Sequence, residues 1–412
     1  MIKKVKVEQL RPGVFIDHFD SGWFNHPFLF NRKRVKDQRV IAKMVEWGVG
    51  HVYIDTDRGL DVEEVGGTPH EYEPESVTSL DFAEMAAPEE PSALTHVPFH
   101  EEIIQAAQVR SKARQVVHRL LDNVRRGGDI NPAEVHRLVE SMDNTVCRNK
   151  DALLLLLRVR SKDEYTFMHS VSVGALLIAF CRSMGLGGDV ARIIGLGGLL
   201  HDVGKMAVPL AILNKPAALT DEEYAIVKRH ALYCQEILEK TPHIPDTAAL
   251  VARQHHERFD GSGYPFNLKG DEIAPAAQMA AIVDVFDAIT ADRCYHQGLD
   301  QVTALRKIYG WRQGHFNEVL VHRFIRCVGV YPAGTVVRLE SGRIGVVVES
   351  TDSLLKPVVR VVYDAGQDWA ISPKDIDLSR EDSQFGDRIV GYESPHRWRI
   401  DPLRILGIST NR

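Results

Sequence analysis

HHERFDGSGYP, from His255 to Pro265, is the stretch on which the reading of this chain turns. It stands downstream of HDVGK, His201 to Lys205. Adjacent His and Asp are common by chance. An HD followed two residues later by Gly-Lys, then HHE and DGSGYP, is not. Imidazole and carboxylate side chains suit Fe, Mn, Zn or Ni, and no thiolate is placed to compete. One carboxylate, Asp202, can serve two ions if it bridges them. With a lysine and a glycine-rich turn added, the set suits two or more metal ions hydrolysing a phosphodiester.

The surroundings read as helix from 150 to about 328. The apolar run from Val171 to Cys181 is too short to span a bilayer and predicts a buried helix. Thr220 to Glu223 forms a capping box, so a helix starts there and carries His230. AAIVDVFDAIT places Asp284 and Asp287 one helical turn apart, the second able to orient a ligand from behind. A single helical histidine is ordinarily a surface or satisfied core residue, and His96 and His243 are read that way.

These motifs resemble the HD-GYP family of bacterial phosphodiesterases, which cleave cyclic di-GMP, over roughly residues 150–330. The resemblance implies a metal-ligand set of His169 (in EYTFMHS), His201, Asp202, His230 (in VKRH), His255, His256 and Asp284 (in VDVFD). It implies catalytic roles for Asp202 and for Lys205, whose charge would stabilise the phosphoryl group. Arg293 matches a family arginine that contacts substrate, and Tyr264 is a further candidate for substrate contact. The implied cofactors are two divalent ions, Fe or Mn, and the implied products are pGpG and then GMP. In the family the GYP loop is also linked to diguanylate-cyclase domains; supporting the HHE segment is its other role here.

Two departures stand out. Some family members hold a third metal with a glutamate four residues before the first histidine. Here that position is Tyr165, and Glu164 lies one residue earlier, on a diverging face. Two ions are therefore expected rather than three. The segment DRCYH has Cys294 and His296 where the family commonly has Pro and a basic residue. A neutral histidine loses a phosphate contact. Two alternatives stay open: hydrolysis of another cyclic dinucleotide such as cyclic GMP-AMP, and a non-catalytic nucleotide sensor or scaffold.

The fold class expected is mainly α: a helical HD-GYP bundle with a small N-terminal α/β module and a small C-terminal β appendage. Residues 1–72 read as a regulatory or docking module that resembles a domain of unknown function often found ahead of HD-GYP domains. In it VKVEQLRPGVFI gives strand, turn and strand. Trp23, Phe24, Phe28 and Phe30 form core. Residues 36–47 form a helix with Ile41, Met44 and Val45 on one face, and HVYIDTDRG forms a further strand. Residues 73–98, rich in Pro, Glu, Ser and Ala, read as an acidic linker.

Connecting helices fill 99–149. The first runs from about His100 to Arg126, with a stripe of Ile103, Ala107, Val109, Val116, Leu120 and Leu121, and ends at Gly127-Gly128. Asn131-Pro132 starts the second. They pack on the bundle or form a homodimer surface. The catalytic domain is 150–330, and 331–412 holds the β appendage and a polar tail. In the appendage, strands flank a Ser341-Gly342 turn and PVVRVVYD gives a third.

A length of 412 residues fits two or three domains. The formal charge of −6 gives no electrostatic reason to bind a nucleic-acid duplex. The five cysteines are scattered with no CxxC, which fits a reducing cytoplasm. The start, MIKKVKVEQLRPG, has no apolar core of a signal peptide, and no membrane insertion is expected.

Overall fold

The structure is a computed structural model. It describes residues 2–19, 33–35, 38, 41, 44–45, 51–56, 60, 62, 96–159, 165–215, 217–291, 298–380 and 387–408. The chain is mainly helical, with a small sheet toward each end. It divides into two compact units. One comprises Met1–Val77, Leu210–Ala225 and Asp292–Gly298; the other comprises Thr78–Pro209, Ile226–Ala291 and Leu299–Arg412.

In the first unit β1 (Ile2–Lys6), β2 (Phe15–Phe19), β3 (Lys33–Arg34) and β4 (His51–Asp55) form an antiparallel sheet in the order β1-β4-β2-β3. Alternation puts Val5, Ile16, Val52 and Ile54 on its buried face. The turn at Pro12-Gly13 is present, with Gly13 at φ +100°, a value that favours glycine. Ile41 and Met44 join this core, but Val45 is 49% exposed. The helical face expected there is thus narrower than the three residues named. The aromatic segment from Trp23 to Phe30 lies outside the described residues.

The second unit opens with α1 (Phe99–Arg125) and α2 (Pro132–Arg158). The stripe that α1 buries is Phe99, Ala106, Ala113, Val116, Val117, Leu120 and Leu121. It differs from the expected stripe in the first turns: Ala107 is exposed and Ile103 and Val109 are only half-buried. Glu102 stands on the buried face instead, its carboxylate receiving Arg148 of α2 in a two-pronged contact at 2.7 and 2.9 Å. Asn131 caps α2 by accepting from the Glu134 backbone N–H, as its sequence position predicts.

Next come α3 (Tyr165–Ser183) and α4 (Gly188–Leu200), packed together. A Cβ on Gly198 would lie 3.1 Å from the Gly174 Cα, so glycine lets the two backbones meet. Asp143 of α2 ties both down: Arg182 of α3 donates to it at 2.9 and 2.7 Å and Arg192 of α4 at 3.0 Å. The capping box at Thr220 forms and starts α5 (Asp221–Lys228). That helix stops at Lys228, however, and His230 begins a new one, α6 (His230–Glu239). The longer helices that follow are α7 (Asp246–Gln254), α8 (Pro275–Thr290), α9 (Gln301–Gly310) and α10 (Glu318–Val328).

The second sheet contains β5 (Val336–Leu339), β6 (Arg343–Glu349), β7 (Val358–Asp364), β8 (Trp369–Asp377) and β9 (Ile389–Tyr392), antiparallel in the order β8-β7-β6-β5-β9. The three strands expected are present, with Gly342 at φ +84° in the turn. Two more were not foreseen. The exposed sequence of β8 does not alternate clearly, and β9 lies within the supposed tail.

Candidate metal centre

Chain geometry sets each ligand candidate at an element end or a helix face. His169 lies on α3, while Asp284 and Asp287 lie on α8. His201 caps the C-terminus of α4, and Asp202 opens the short 3-10 turn Val203–Ala207. His230 is the first residue of α6, and His255 caps α7. The apolar residues around them take these imidazoles and carboxylates out of water: His169, His201, Asp202, His230, His255 and Asp284 are all buried.

The structure brings all seven candidate ligands together. His169, His201 and Asp202 offer donor atoms within 4.8 Å of one another, and so do His230, His255 and His256. Asp202 faces both groups. Its Oδ2 lies 3.4 Å from His201 Nε2 and 3.8 Å from His169 Nε2. Its Oδ1 lies 3.5 Å from His230 Nε2 and 4.0 Å from His255 Nε2. Asp284 is divided in the same way. One oxygen is 3.1 Å from His169 Nε2 and the other 3.7 Å from His256 Nδ1.

Three rings are oriented by helix carbonyls. His201 Nδ1 donates to Gly198 O at 2.7 Å, His230 Nδ1 to Val227 O at 2.7 Å, and His255 Nδ1 to Ala252 O at 2.9 Å. His169 Nδ1 meets Asp287 Oδ2 at 2.7 Å instead. Each bond fixes the tautomer and turns the Nε2 lone pair inward, as a metal-ligating histidine requires.

Among the described residues, buried His201 Nε2 and Asp202 Oδ1 have no hydrogen-bond partner. Such atoms cost free energy unless something else satisfies them. The N/O donor set around each of them fits divalent ions.

The protonation states of three of the rings agree with this. Burial, reinforced by Lys205, pushes His230 down to about 4. Burial and neighbouring imidazoles hold His255 and His256 well below the ordinary histidine value. These rings are therefore neutral near pH 7, the form in which an imidazole can bind a metal. Burial alone would raise Asp202, but the charges around it, His201 and Lys205 foremost, hold it well below the carboxylate range. Burial would likewise raise Asp284, and the His169 Nε2 contact at 3.1 Å, with the neighbouring imidazoles, outweighs it and holds it well below the carboxylate range. Burial would lower His169, but its two aspartate partners raise it.

Lys205 Nζ lies 2.6 Å from Asp202 Oδ2. The HDVGK turn is held by a residue that the sequence reading passed over. Cys234 Sγ donates to the His201 carbonyl at 2.9 Å and accepts from the Gly204 N–H at 3.1 Å. Gly204 is required by contact: a Cβ there would fall 2.1 Å from His230 O.

The DGSGYP loop folds back on HHE. Glu257 accepts from the Phe266 and Leu268 backbone N–H groups at 2.8 and 3.1 Å, and the Tyr264 N–H donates to His256 O at 3.2 Å. A Cβ on Gly263 would sit 2.4 Å from Glu257 Cα. The Tyr264 ring lies 4.6 Å from that of His256. Arg293, Cys294, His296 and Glu164 lie outside the described residues, as does the side chain of Tyr165. His96 and His243 stand apart from the centre: His96 is 3.7 Å from Glu349, and the His243 carbonyl receives His136 at 3.1 Å.

Comparison with known proteins places this geometry in a class. Residues 153–318 match the HD domain, and residues 2–135 match a domain of unknown function, DUF3391. A cyclic di-GMP phosphodiesterase of Pseudomonas aeruginosa is 39% identical over 405 residues, covering 98% of this chain and 95% of that protein. The cyclic di-GMP phosphodiesterase response regulator RpfG of Xanthomonas campestris is 36% identical over 194 residues, 46% of this chain and 51% of its own. A 3′3′-cGAMP-specific phosphodiesterase of Vibrio cholerae is 35% identical over 164 residues, 40% of this chain and 31% of its own.

The chain belongs to the HD-GYP phosphodiesterases, hydrolases of the HD-domain class that act with divalent metal. Among the described residues no helix is long and apolar enough to cross a membrane.

Proposed function

We propose that this phosphodiesterase hydrolyses cyclic di-GMP to pGpG, with a slower second cleavage to GMP, in the cytoplasm. The observation that carries the reading is the division of Asp202 between two histidine groups, the arrangement of a carboxylate shared by two ions. His169, His201, Asp202, His230, His255, His256 and Asp284 would hold them, as Fe or Mn. Ions held here would supply Lewis-acid activation of water and neutralisation of phosphate charge.

The chain's own residues do the rest. Asp287 and the helix carbonyls keep the imidazoles in one tautomer. Lys205, anchored on Asp202, sets a positive charge where the phosphoryl group gains negative charge. Arg293 would bind substrate from outside the described residues. The occupancy expected from Tyr165 is two ions per chain.

The similarity to the 3′3′-cGAMP-specific relative favours one alternative substrate, a mixed cyclic dinucleotide. Protein purified without oxygen, analysed for metal and offered cyclic di-GMP and 3′3′-cGAMP side by side, decides. Preferred conversion of cyclic di-GMP to pGpG supports the reading; preference for the mixed dinucleotide replaces it. Absence of bound metal together with absence of turnover would leave a nucleotide-binding scaffold.

The domain division of 1–72, 73–98, 99–149, 150–330 and 331–412 belongs to the same proposal. The first segment would act as a regulatory or docking module, the GYP loop would receive a diguanylate-cyclase domain, and α1 and α2 would offer a homodimer surface.

A further inference from the structure

The centre described above accounts for one phosphate. A cyclic dinucleotide carries two phosphodiester groups in a single ring, so a second anion stays beside the protein while the first reacts. We propose that Lys228 holds this second, non-reacting phosphate, with the Tyr264 ring as the surface on which the adjoining base lies. The inference rests on the cyclic-dinucleotide reading and adds a specificity-determining residue to it.

Lys228 is the last residue of α5, two positions before His230. Its Nζ lies 5.9 Å from the centroid of the Tyr264 ring. That ring lies 4.6 Å from the His256 ring and 6.4 Å from the His230 ring. One tyrosine thus links the ammonium to two imidazoles of the metal centre. The burial changes along this path. His230 is closed off from solvent, whereas Tyr264 and Lys228 are partly exposed, so they stand at the rim where the rest of a large substrate must lie.

The platform is held in place. Tyr264 is bonded through its backbone to His256, and Gly263 packs against Glu257 with no room for a side chain. Glu257, the nearby acid in sequence, directs its carboxylate at the Phe266 and Leu268 N–H groups rather than at the rim. Lys205 is engaged with Asp202 at 2.6 Å and belongs to the reacting phosphate. A lysine ammonium is a point charge suited to a phosphate, and an aromatic face accepts any base by stacking.

The test compares wild type, Lys228→Ala and Lys228→Arg, each with its metal content measured, on cyclic di-GMP and on bis(p-nitrophenyl) phosphate. The second compound is a diester with one phosphate. Lys228→Ala should raise KM for cyclic di-GMP about tenfold relative to KM for the single-phosphate diester, the scale of a charge-assisted hydrogen bond. Lys228→Arg should restore most of that difference. A ratio that stays constant, whether both substrates lose turnover together or neither does, overturns the inference and leaves the substrate reading standing. Wild type that cleaves bis(p-nitrophenyl) phosphate but not cyclic di-GMP overturns the substrate reading, and this inference with it.

Discussion

Asp202 is the residue on which most of the centre depends, because its two oxygens face different histidine pairs. Removing it deprives His230 and His255 of the carboxylate they share with His169 and His201. Asp202→Ala should abolish hydrolysis and lower bound metal, read by metal analysis and turnover on one preparation; normal values of both would sink the assignment. Lys205 acts differently. It touches the carboxylate from outside the imidazole groups, so Lys205→Ala should retain most metal while kcat falls by roughly 10²–10³-fold, the usual loss for one preorganised charge. Metal lost in step with kcat would make Lys205 a support of Asp202 instead. The residues gathered here were legible in the sequence: His201, Asp202, His255 and His256 because HD and HH are adjacent pairs in unusual surroundings, and His169, His230 and Asp284 through the family resemblance. Cys234 was not, since a lone cysteine in a helix carries no mark of the two backbone bonds it makes.

At the scale of elements, the centre works only if the HDVGK turn touches α6. The contact is backbone to backbone: Gly204 abuts His230 O and Cys234 N, where a Cβ would stand 2.1 and 2.5 Å away. Neither atom is the end of a flexible chain, so the turn and helix must part. Gly204→Ala should therefore destabilise the protein by about 1–3 kcal/mol, the range for overpacking, and weaken metal binding because His230 starts the displaced helix. Denaturant unfolding of metal-free protein measures the first effect and metal titration the second. A Gly204→Ala protein as stable as wild type and equally tight for metal would show that the contact yields easily. Helix starts were readable here wherever a side chain caps them, as at Thr220 and Asn131. The break at Arg229 was not, because no Gly or Pro stands in VKRHALY. The frame of α1 was missed for a related reason: period counting places charges outside, and Glu102 is inside with Arg148.

At the scale of the whole second unit, the sheet β5–β9 is joined to the helices through a buried polar cluster at a kink in α2. Asn149 there leaves helical geometry, at φ −162° and ψ 99°, and its Nδ2 donates to Glu349 Oε2 at 2.8 Å. Asp151 accepts from the Ser350 N–H at 2.7 Å and from its hydroxyl at 2.6 Å, with Lys150 Nζ at 3.2 Å. Nothing in the run of leucines that follows announces a kink, and partners about two hundred residues apart leave no local pattern. Burial alone would raise Asp151, but Lys150 and the Ser350 bonds outweigh it and hold the carboxyl below its ordinary value. A carboxyl depressed on folding contributes stability above its unfolded pKa, ~3.9, and that contribution is lost as pH falls through the folded value. Lys150, raised on folding, stays charged throughout that acid range. Asp151→Asn should then cost about 1–3 kcal/mol near neutral pH, the usual range for losing hydrogen bonds to a charged group. The gap between wild type and variant should shrink as the solution is acidified below about pH 4. Loss of metal from the centre affects both proteins in acid and cancels in the difference. Urea unfolding of the metal-free pair at several pH values reads this directly, and a gap that stays constant down to the acid limit would mean that the carboxylate charge is not what joins the sheet to α2.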